Sequence, residues 1–286
     1  MIVLDGRALA ALRAPAIARD ATAMLARRGR APTLLLVAFA DAAGRAPHVQ
    51  GKLRACSAVG VNAVPLVVAT GTLPLDAMAA MQRAITTHQP DGVFVQVPFP
   101  DDFDGTPLLD AIPVAADVDI MTQARTTDYL TGASDLPPVT VTAALELLDA
   151  HAVSVHGLHG VMVAEDSPFT GMFVEALRRR GARMAQALHP DATDLEERVG
   201  EAGLVVAAAG RPGLLRADRL APGAIAIDAG YFNPGGLGDI DVSGGVAHLG
   251  ALMPVPGGIG PMTVSALVAR VVEFGGTACG PGPDQA

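Results

Sequence analysis

Lysine is almost missing from this 286-residue chain: of its 20 basic residues one, Lys52, is lysine and the rest are arginine. Cysteine is nearly as scarce, with Cys56 and Cys279 alone. Two cysteines cannot build a disulfide framework or a zinc site, and they fit a reducing compartment. No cluster of basic residues stands out against a formal net charge of −9. That argues against a nucleic-acid partner, because phosphates are met by a stripe of positive charge. Long apolar runs are missing too. Half of the residues are hydrophobic and the mean hydropathy is positive, yet the apolar stretches, such as residues 34–37 and 93–97, are short and broken by Gly, Pro and charge. A membrane-spanning helix needs about 20 consecutive apolar residues, so no membrane association is expected. The opening MIVLDGRALA places Asp5 among its first apolar residues, unlike a signal peptide, and a cytoplasmic location is expected.

The cation usage has a bland explanation and a sharp one. An Ala-, Gly- and Arg-rich chain suggests a high-GC genome, in which Arg replaces Lys on surfaces at little cost. Such drift cannot replace a primary amine that must lose its proton, since guanidinium stays charged. Lys52 is therefore a candidate for acid–base or Schiff-base work, with chance survival as the alternative.

Apolar runs alternate with helical stretches along the chain. Helices are expected at residues 7–28, 49–59, 75–88, 140–150, 169–180, 194–199 and 264–273, with Thr140 or Thr142 as the N-cap of the fourth. Strands are expected at 33–39, 63–68, 92–97, 160–164, 184–188, 204–208 and 224–228. This alternation predicts an α/β fold with a mostly parallel sheet. The stretch TGASDLPP near 130–138 breaks the pattern and divides the chain into two domains. The first, 1–136, is an α/β domain; the second, 137–263, has the rhythm of a Rossmann-like dinucleotide-binding fold. A cleft between such domains is a common place for a small-molecule site. The Gly/Pro-rich tail at 276–286 reads as disordered.

The most specific string is PVPGGIGPMT at 254–263, in which three prolines and three glycines fix a particular backbone path. Such a path leaves N–H groups free and lets a ligand approach closely. The string resembles the C-terminal signature of the bifunctional methylenetetrahydrofolate dehydrogenase/methenyltetrahydrofolate cyclohydrolase family. DGVFVQVPFP at 91–100 is similar to that family's motif with a catalytic Gln, here Gln96. IPVAADVDIM at 112–121 resembles its P-x-K-D-V-D-G segment, with the pterin-binding Asp at Asp119 and Pro113 one position early. HVQGKLRACSAVGV at 48–61 resembles its Y-x-x-x-K motif, with Lys52 in the lysine position. AAAGRPGLL at 207–215, GAIAIDAGYF at 223–232 and GDIDV at 238–242 resemble segments of its nucleotide-binding domain.

The resemblance implies an enzyme that oxidises 5,10-methylenetetrahydrofolate with NAD or NADP and hydrolyses the methenyl product to 10-formyltetrahydrofolate. It implies a homodimer through the second domain, with helix 264–275 packing back on the first. Its catalytic residues fall on Lys52, Gln96 and Asp119, and its substrate-binding residues on His48, Pro256, Gly257, Gly258 and Pro261. Its cofactor-binding residues fall on Glu165, Asp166, Ser167, Ala209, Gly210, Asp228, Gly230 and Thr263; no metal is implied. An amine buried beside a cationic substrate loses its proton near neutral pH, Gln96 can hold it by a neutral hydrogen bond, and Asp119 can accept from the pterin N–H groups.

The departures cluster at functional positions. His48 stands for the Tyr that stacks on the folate, Ala116 for the Lys before Asp117, and Ile120 for the Gly after Asp119. PVTVTA at 138–143 keeps only Pro138 and Thr140 of the P-C-T-P-x-G motif. In the dinucleotide loop the family's G-R-S-x-x-V-G-x-P is replaced by Ala164, Glu165, Asp166, Ser167, Pro168, Phe169, Thr170, Gly171 and Met172. Two carboxylates there would repel the 2′-phosphate of NADP and could accept from the 2′-hydroxyl of NAD. The sequence therefore favours the hydrolytic half of the reaction pair. The alternatives are a hydrolysis-only or specialised-pathway copy that has lost cofactor binding, and a silent folate-binding scaffold. Ser167 and Asp166 with His189 invite a triad reading, but no nucleophile elbow is present.

Overall fold

The computed structural model describes residues 1–40, 49–100, 102–185, 187–230 and 236–277. In chain order the first elements are β1 (Ile2–Val3), α1 (Gly6–Arg28), β2 (Thr33–Phe39), α2 (Val49–Ala58), β3 (Asn62–Val68), α3 (Pro74–His88) and β4 (Gly92–Val95). Then come α4 (Thr106–Asp110), a 3-10 turn (Val114–Ala116), α5 (Gln123–Thr131), α6 (Val139–Ala150), β5 (His159–Val163), α7 (Pro168–Arg179) and β6 (Arg183–Met184). The last are α8 (Leu195–Glu201), β7 (Leu204–Ala207), β8 (Leu215–Arg216), β9 (Ile225–Asp228), β10 (Ile240–Asp241), β11 (Ala251–Met253) and α9 (Ile259–Thr277). They divide into two units, one of Leu12–Val139 with Val264–Ala286, the other of Met1–Ala11 with Thr140–Thr263.

The first unit holds a parallel sheet in the order β3-β2-β4. Its central strand, TLLLVAF, is buried along nearly its whole length because both faces are covered. Successive side chains point to opposite faces. Leu34, Leu36 and Ala38 therefore join Phe94, Cys56 and the α9 residues Ala266, Leu267 and Val271 in one core. Leu35 and Val37 join Val93, Val95, Met81 and Leu108 in another. The carboxylate of Asp91, placed just before β4, pairs with both Arg28 and Arg30 at 2.8 Å and accepts from Thr33 N at 2.9 Å, fixing where β4 enters. A Cβ at Gly92 would lie 2.5 Å from Val118 Cγ1. That missing side chain lets the segment after the 3-10 turn lie against β4, where Asp117 bridges Val93.

The second unit has a six-stranded parallel sheet in the order β1-β11-β9-β7-β5-β6 and a separate β8-β10 pair. From β5 the chain passes to β6 on one side and then to β7 on the other. The crevice at the carboxyl ends of β5 and β7 is thus a topological switch point, where doubly wound sheets bind ligands. Its core is apolar from strand to helix, with Val161, Val163, Val205, Ala207 and Ala226 packed on Leu195, Val199 and Leu220.

Several elements differ from the sequence expectation. The third strand stops at Val95, not at residue 97, so Gln96 and Val97 lie beyond it. Helix α6 begins at Val139, so Thr140 and Thr142 sit inside it and neither is its N-cap. The strand expected at 184–188 is reduced to Arg183–Met184 with one further bridge from Val163 to Leu188. The last helix begins at Ile259, inside the Gly/Pro string, and takes in residues 276 and 277, expected in the tail. Ile2 and Val3 pair with Ala251 and Leu252, so Met1–Ala11 belong to the second unit, not to the domain starting at residue 1. Among the described residues no helix is long and apolar enough to cross a membrane.

Candidate active site

In the first unit, Val49, Lys52 and Cys56 recur at helical spacing and form the buried stripe of α2. Burial therefore carries the amine inward, leaving Lys52 only 8 % exposed. Gln96 follows β4, and its N–H continues the sheet ladder to Val37 O at 2.8 Å. Lys52 Nζ donates to Gln96 Oε1 at 2.6 Å, and Gln96 Nε2 donates to Val97 O at 2.5 Å. The second bond orients the amide so that its oxygen, not its nitrogen, meets the amine. The Phe94 ring lies 5.1 Å from Nζ. Burial lowers the Lys52 pKa to about 8, against an opposing pull from Asp119 and then Cys56. Burial also pushes the Cys56 thiol up to about 11.

Asp119 Oδ1 accepts from Val139 N at 2.9 Å, so the carboxylate also caps the start of α6. Burial raises its pKa to about 7; the Val139 bond, the Arg270 guanidinium and Lys52 pull it down, and Asp117 pushes it up. Ile120, next along, has φ 59 and is buried. A left-handed β-branched residue is an outlier, in a backbone conformation that glycine adopts without strain. The structure thus brings Lys52, Gln96 and Asp119 into one unit and couples the first to both others. His48 lies outside the described residues.

In the second unit, the loop after β5 runs Ala164, Glu165, Asp166, Ser167 into α7. Ser167 is the N-cap: its Oγ accepts from Thr170 N at 3.2 Å, while Thr170 Oγ1 donates to Glu165 O at 2.8 Å. Ser167 is thereby spent on local structure. Glu165 Oε1 accepts from Arg211 at 3.0 Å, and its Oε2 lies 2.8 Å from His189 Nε2. Arg211 also donates to Asp191 Oδ1 at 2.5 Å, and Asp191 N donates to His189 Nδ1 at 3.2 Å. Since Nδ1 accepts, the ring proton is assigned to Nε2, pointing at Glu165. The histidine serves carboxylates, not a nucleophilic serine. Arg211 holds Asp191 below the usual carboxylate range.

The other expected cofactor residues are held largely through Asp239, which the sequence did not single out. Asp239 Oδ2 accepts from Ala209 N at 2.5 Å and Gly210 N at 3.0 Å. Asp228 accepts from Gly230 N at 3.0 Å, Asp239 N at 3.1 Å and Ile240 N at 3.0 Å. Burial raises the Asp228 pKa to about 7. Among the described residues Asp239 Oδ1 is buried without a partner. Thr263 Oγ1 donates to Ile259 O within α9 at 3.0 Å. Pro256, Gly257 and Gly258 form the turn entering α9, and Pro261 lies in its first turn. Gly257 O accepts from Gly6 N at 2.9 Å. Sequence reasoning missed Arg211, Asp191 and Asp239, whose partners are distant in sequence. It also missed Arg270, which nothing in the pattern of α9 marks except its being a cation among apolar residues.

Two family sequence models match this chain: the catalytic domain of tetrahydrofolate dehydrogenase/cyclohydrolase over residues 4–119 and its NAD(P)-binding domain over 138–278. The chain belongs to the tetrahydrofolate dehydrogenase/cyclohydrolase family. A bifunctional protein FolD of Cellvibrio japonicus is 30% identical over 274 residues, covering 96% of this chain and 97% of that relative. A bifunctional protein FolD 2 of Frankia alni is 33% identical over 257 residues, covering 89% of this chain and 88% of the relative. The crystal structure of the bifunctional FolD methylenetetrahydrofolate dehydrogenase/cyclohydrolase of Campylobacter jejuni matches with a TM-score of 0.87 at 25% identity, over 98% of this chain and 100% of that one. Within the family's two-domain plan, the Lys52–Gln96–Asp119 set falls in the region of the catalytic match, and the Glu165–Arg211 cluster in the NAD(P)-binding match.

Proposed function

We propose that this chain interconverts one-carbon units on tetrahydrofolate, oxidising the 5,10-methylene form with a nicotinamide cofactor and hydrolysing the 5,10-methenyl product to 10-formyltetrahydrofolate. The observation that carries the reading is the part-buried 2.6 Å bond between the buried amine of Lys52 and Gln96 Oε1. A neutral amide tolerates both protonation states of the amine, whereas a carboxylate in its place would hold it as ammonium. Water adds to the methenyl carbon, and Lys52 as free amine takes one of its protons. The resulting ammonium returns that proton to the leaving folate nitrogen as the carbon–nitrogen bond breaks. The second water proton leaves to solvent as the formyl carbonyl forms. Asp119 accepts from the pterin N–H groups and orients the ring.

When bound, the nicotinamide ring supplies the hydride acceptor for the oxidation. The donors and acceptors at the switch-point crevice fit NAD better than NADP. Glu165, Asp166 and Asp191 set three carboxylates against one guanidinium, Arg211, already shared between two of them. Carboxylate oxygens accept from a ribose diol and repel a phosphate on it. Family resemblance assigns Gln96, His48, Pro256, Gly257, Gly258 and Pro261 to the folate, and Ala209, Gly210, Asp228, Gly230 and Thr263 to the cofactor. We place the enzyme in the cytoplasm as a homodimer, on family resemblance and its sparse cysteine. The test is to supply purified protein with 5,10-methylenetetrahydrofolate and each dinucleotide. Reduced dinucleotide and decay of added methenyl absorbance are expected, and the absence of both overturns the reading.

A further inference from the structure

Arg270 is a cation on an otherwise apolar stretch of α9 and is only 4 % exposed. A guanidinium is kept in such a place by the acceptors it satisfies. Its NH1 donates to Val118 O at 3.0 Å and to Pro137 O at 2.8 Å. Those carbonyls flank one contact. Val118 immediately precedes Asp119, and Pro137 lies two residues before Val139, whose N–H is held by Asp119 Oδ1 at 2.9 Å. One guanidinium nitrogen thus ties together the two backbone segments that meet at the Asp119 carboxylate.

On the other side of Asp119 the backbone is locked independently. The Asp117 carboxylate accepts from Met121 N at 3.1 Å and Thr122 N at 2.9 Å, and Thr126 Oγ1 donates to Ile120 O at 3.2 Å. These bonds hold Ile120 at φ 59, a conformation a β-branched residue does not adopt unaided. Backbone held in this way is expected where a side chain must be aimed.

We propose that Arg270 is a positioning residue for the folate step: through the Val118 and Pro137 carbonyls it fixes the direction of the Asp119 carboxylate and favours its charged, accepting form. The inference rests on the reading of Asp119 as the pterin acceptor. The charged groups acting on Asp119 are Lys52 of α2, Arg270 of α9 and Asp117 on its own segment. Lys52 surrenders its charge when it acts as base, while guanidinium does not titrate. Arg270 is therefore the cation that still opposes protonation of Asp119 while the amine is neutral.

The experiment is steady-state kinetics of Arg270→Gln, Arg270→Lys and Asp119→Asn across pH, with urea midpoints to confirm folding. For folded R270Q, the KM for the methenyl substrate should rise about tenfold or more, well beyond the change in kcat. The acidic limb of kcat/KM, where Lys52 and Asp119 titrate together, should steepen and move toward alkaline pH. R270K keeps the charge but its single ammonium cannot reproduce the planar fork, so its acidic limb should stay in place while KM rises. Unchanged KM and an unmoved limb in folded R270Q overturn the proposal. Should R270Q not fold, an unchanged KM in R270K overturns it. D119N separates the two readings: a raised KM there with a silent R270Q rejects Arg270 alone, whereas an unchanged KM in D119N rejects the assignment of Asp119 itself.

Discussion

An arginine at position 52 would keep the charge, much of the reach and most of the burial of the lysine, and would still remove the chemistry assigned to it. The difference lies in the proton: burial lowers the Lys52 pKa to about 8, whereas guanidinium remains charged throughout the working range. Because the base form is the deprotonated one, hydrolysis by the wild-type protein should rise with pH and level off above about 8. Lys52→Arg should lower kcat/KM by roughly 10²- to 10⁴-fold and remove the part of that rise that Lys52 sets, leaving only the Asp119 limb near pH 7. Decay of methenyl absorbance over a series of buffers measures both; a pH-independent wild-type rate, or a near-normal arginine variant, would refute the role. At this scale the sequence was informative because codon drift left a single amine. Gln96 and Asp119 were legible only through their motifs, and Arg270 was not legible, since its two carbonyl partners lie more than a hundred residues away in the chain.

Elements were legible where one apolar run makes one buried strand, as in Thr33–Phe39, and poorly legible where pairing is short. Ile2–Val3 is two residues long and exposed, so no periodicity could reveal it; its place comes from β11 and from a backbone crossing next to it. At that crossing Gly6 N and Arg7 N both donate to Gly257 O, and a Cβ on Gly6 would stand 1.8 Å from Gly258 O. The obstacle is backbone, not a flexible side-chain end, so it cannot swing away. Gly6→Ala should therefore cost about 3 kcal/mol, seen as a lower urea midpoint with an unchanged slope. A midpoint equal to wild type would show that the start of α1 and the turn before α9 are not held together this tightly. The same crossing explains why the Gly/Pro string could be read as a fixed path but its helix start could not. Proline is tolerated in the first turn of a helix, so α9 begins two residues before Pro261.

For the whole molecule, a formal net charge of −9 sets a field that disfavours any polyanionic ligand, and under the proposed function the crevice cluster concentrates it at the ribose phosphate of NADP. The residues concerned are more than half exposed: Glu165 at 54% and Asp191 at 66% of side-chain area. Their effect is therefore subject to salt screening, with a Debye length of about 10 Å at 0.1 M. Two consequences separate electrostatic exclusion from a merely absent contact. Binding stabilises the folded state by an amount that grows with ligand concentration over Kd, so NAD should raise Tm more than NADP at equal concentration, and the gap should narrow as salt is added. Glu165→Gln combined with Asp191→Asn should narrow it at low salt, because neutral amides no longer repel the phosphate while Arg211 gains freedom to meet it. Thermal shifts at two ionic strengths measure both effects. A gap that ignores salt and survives the double substitution would place dinucleotide selection elsewhere in the second unit.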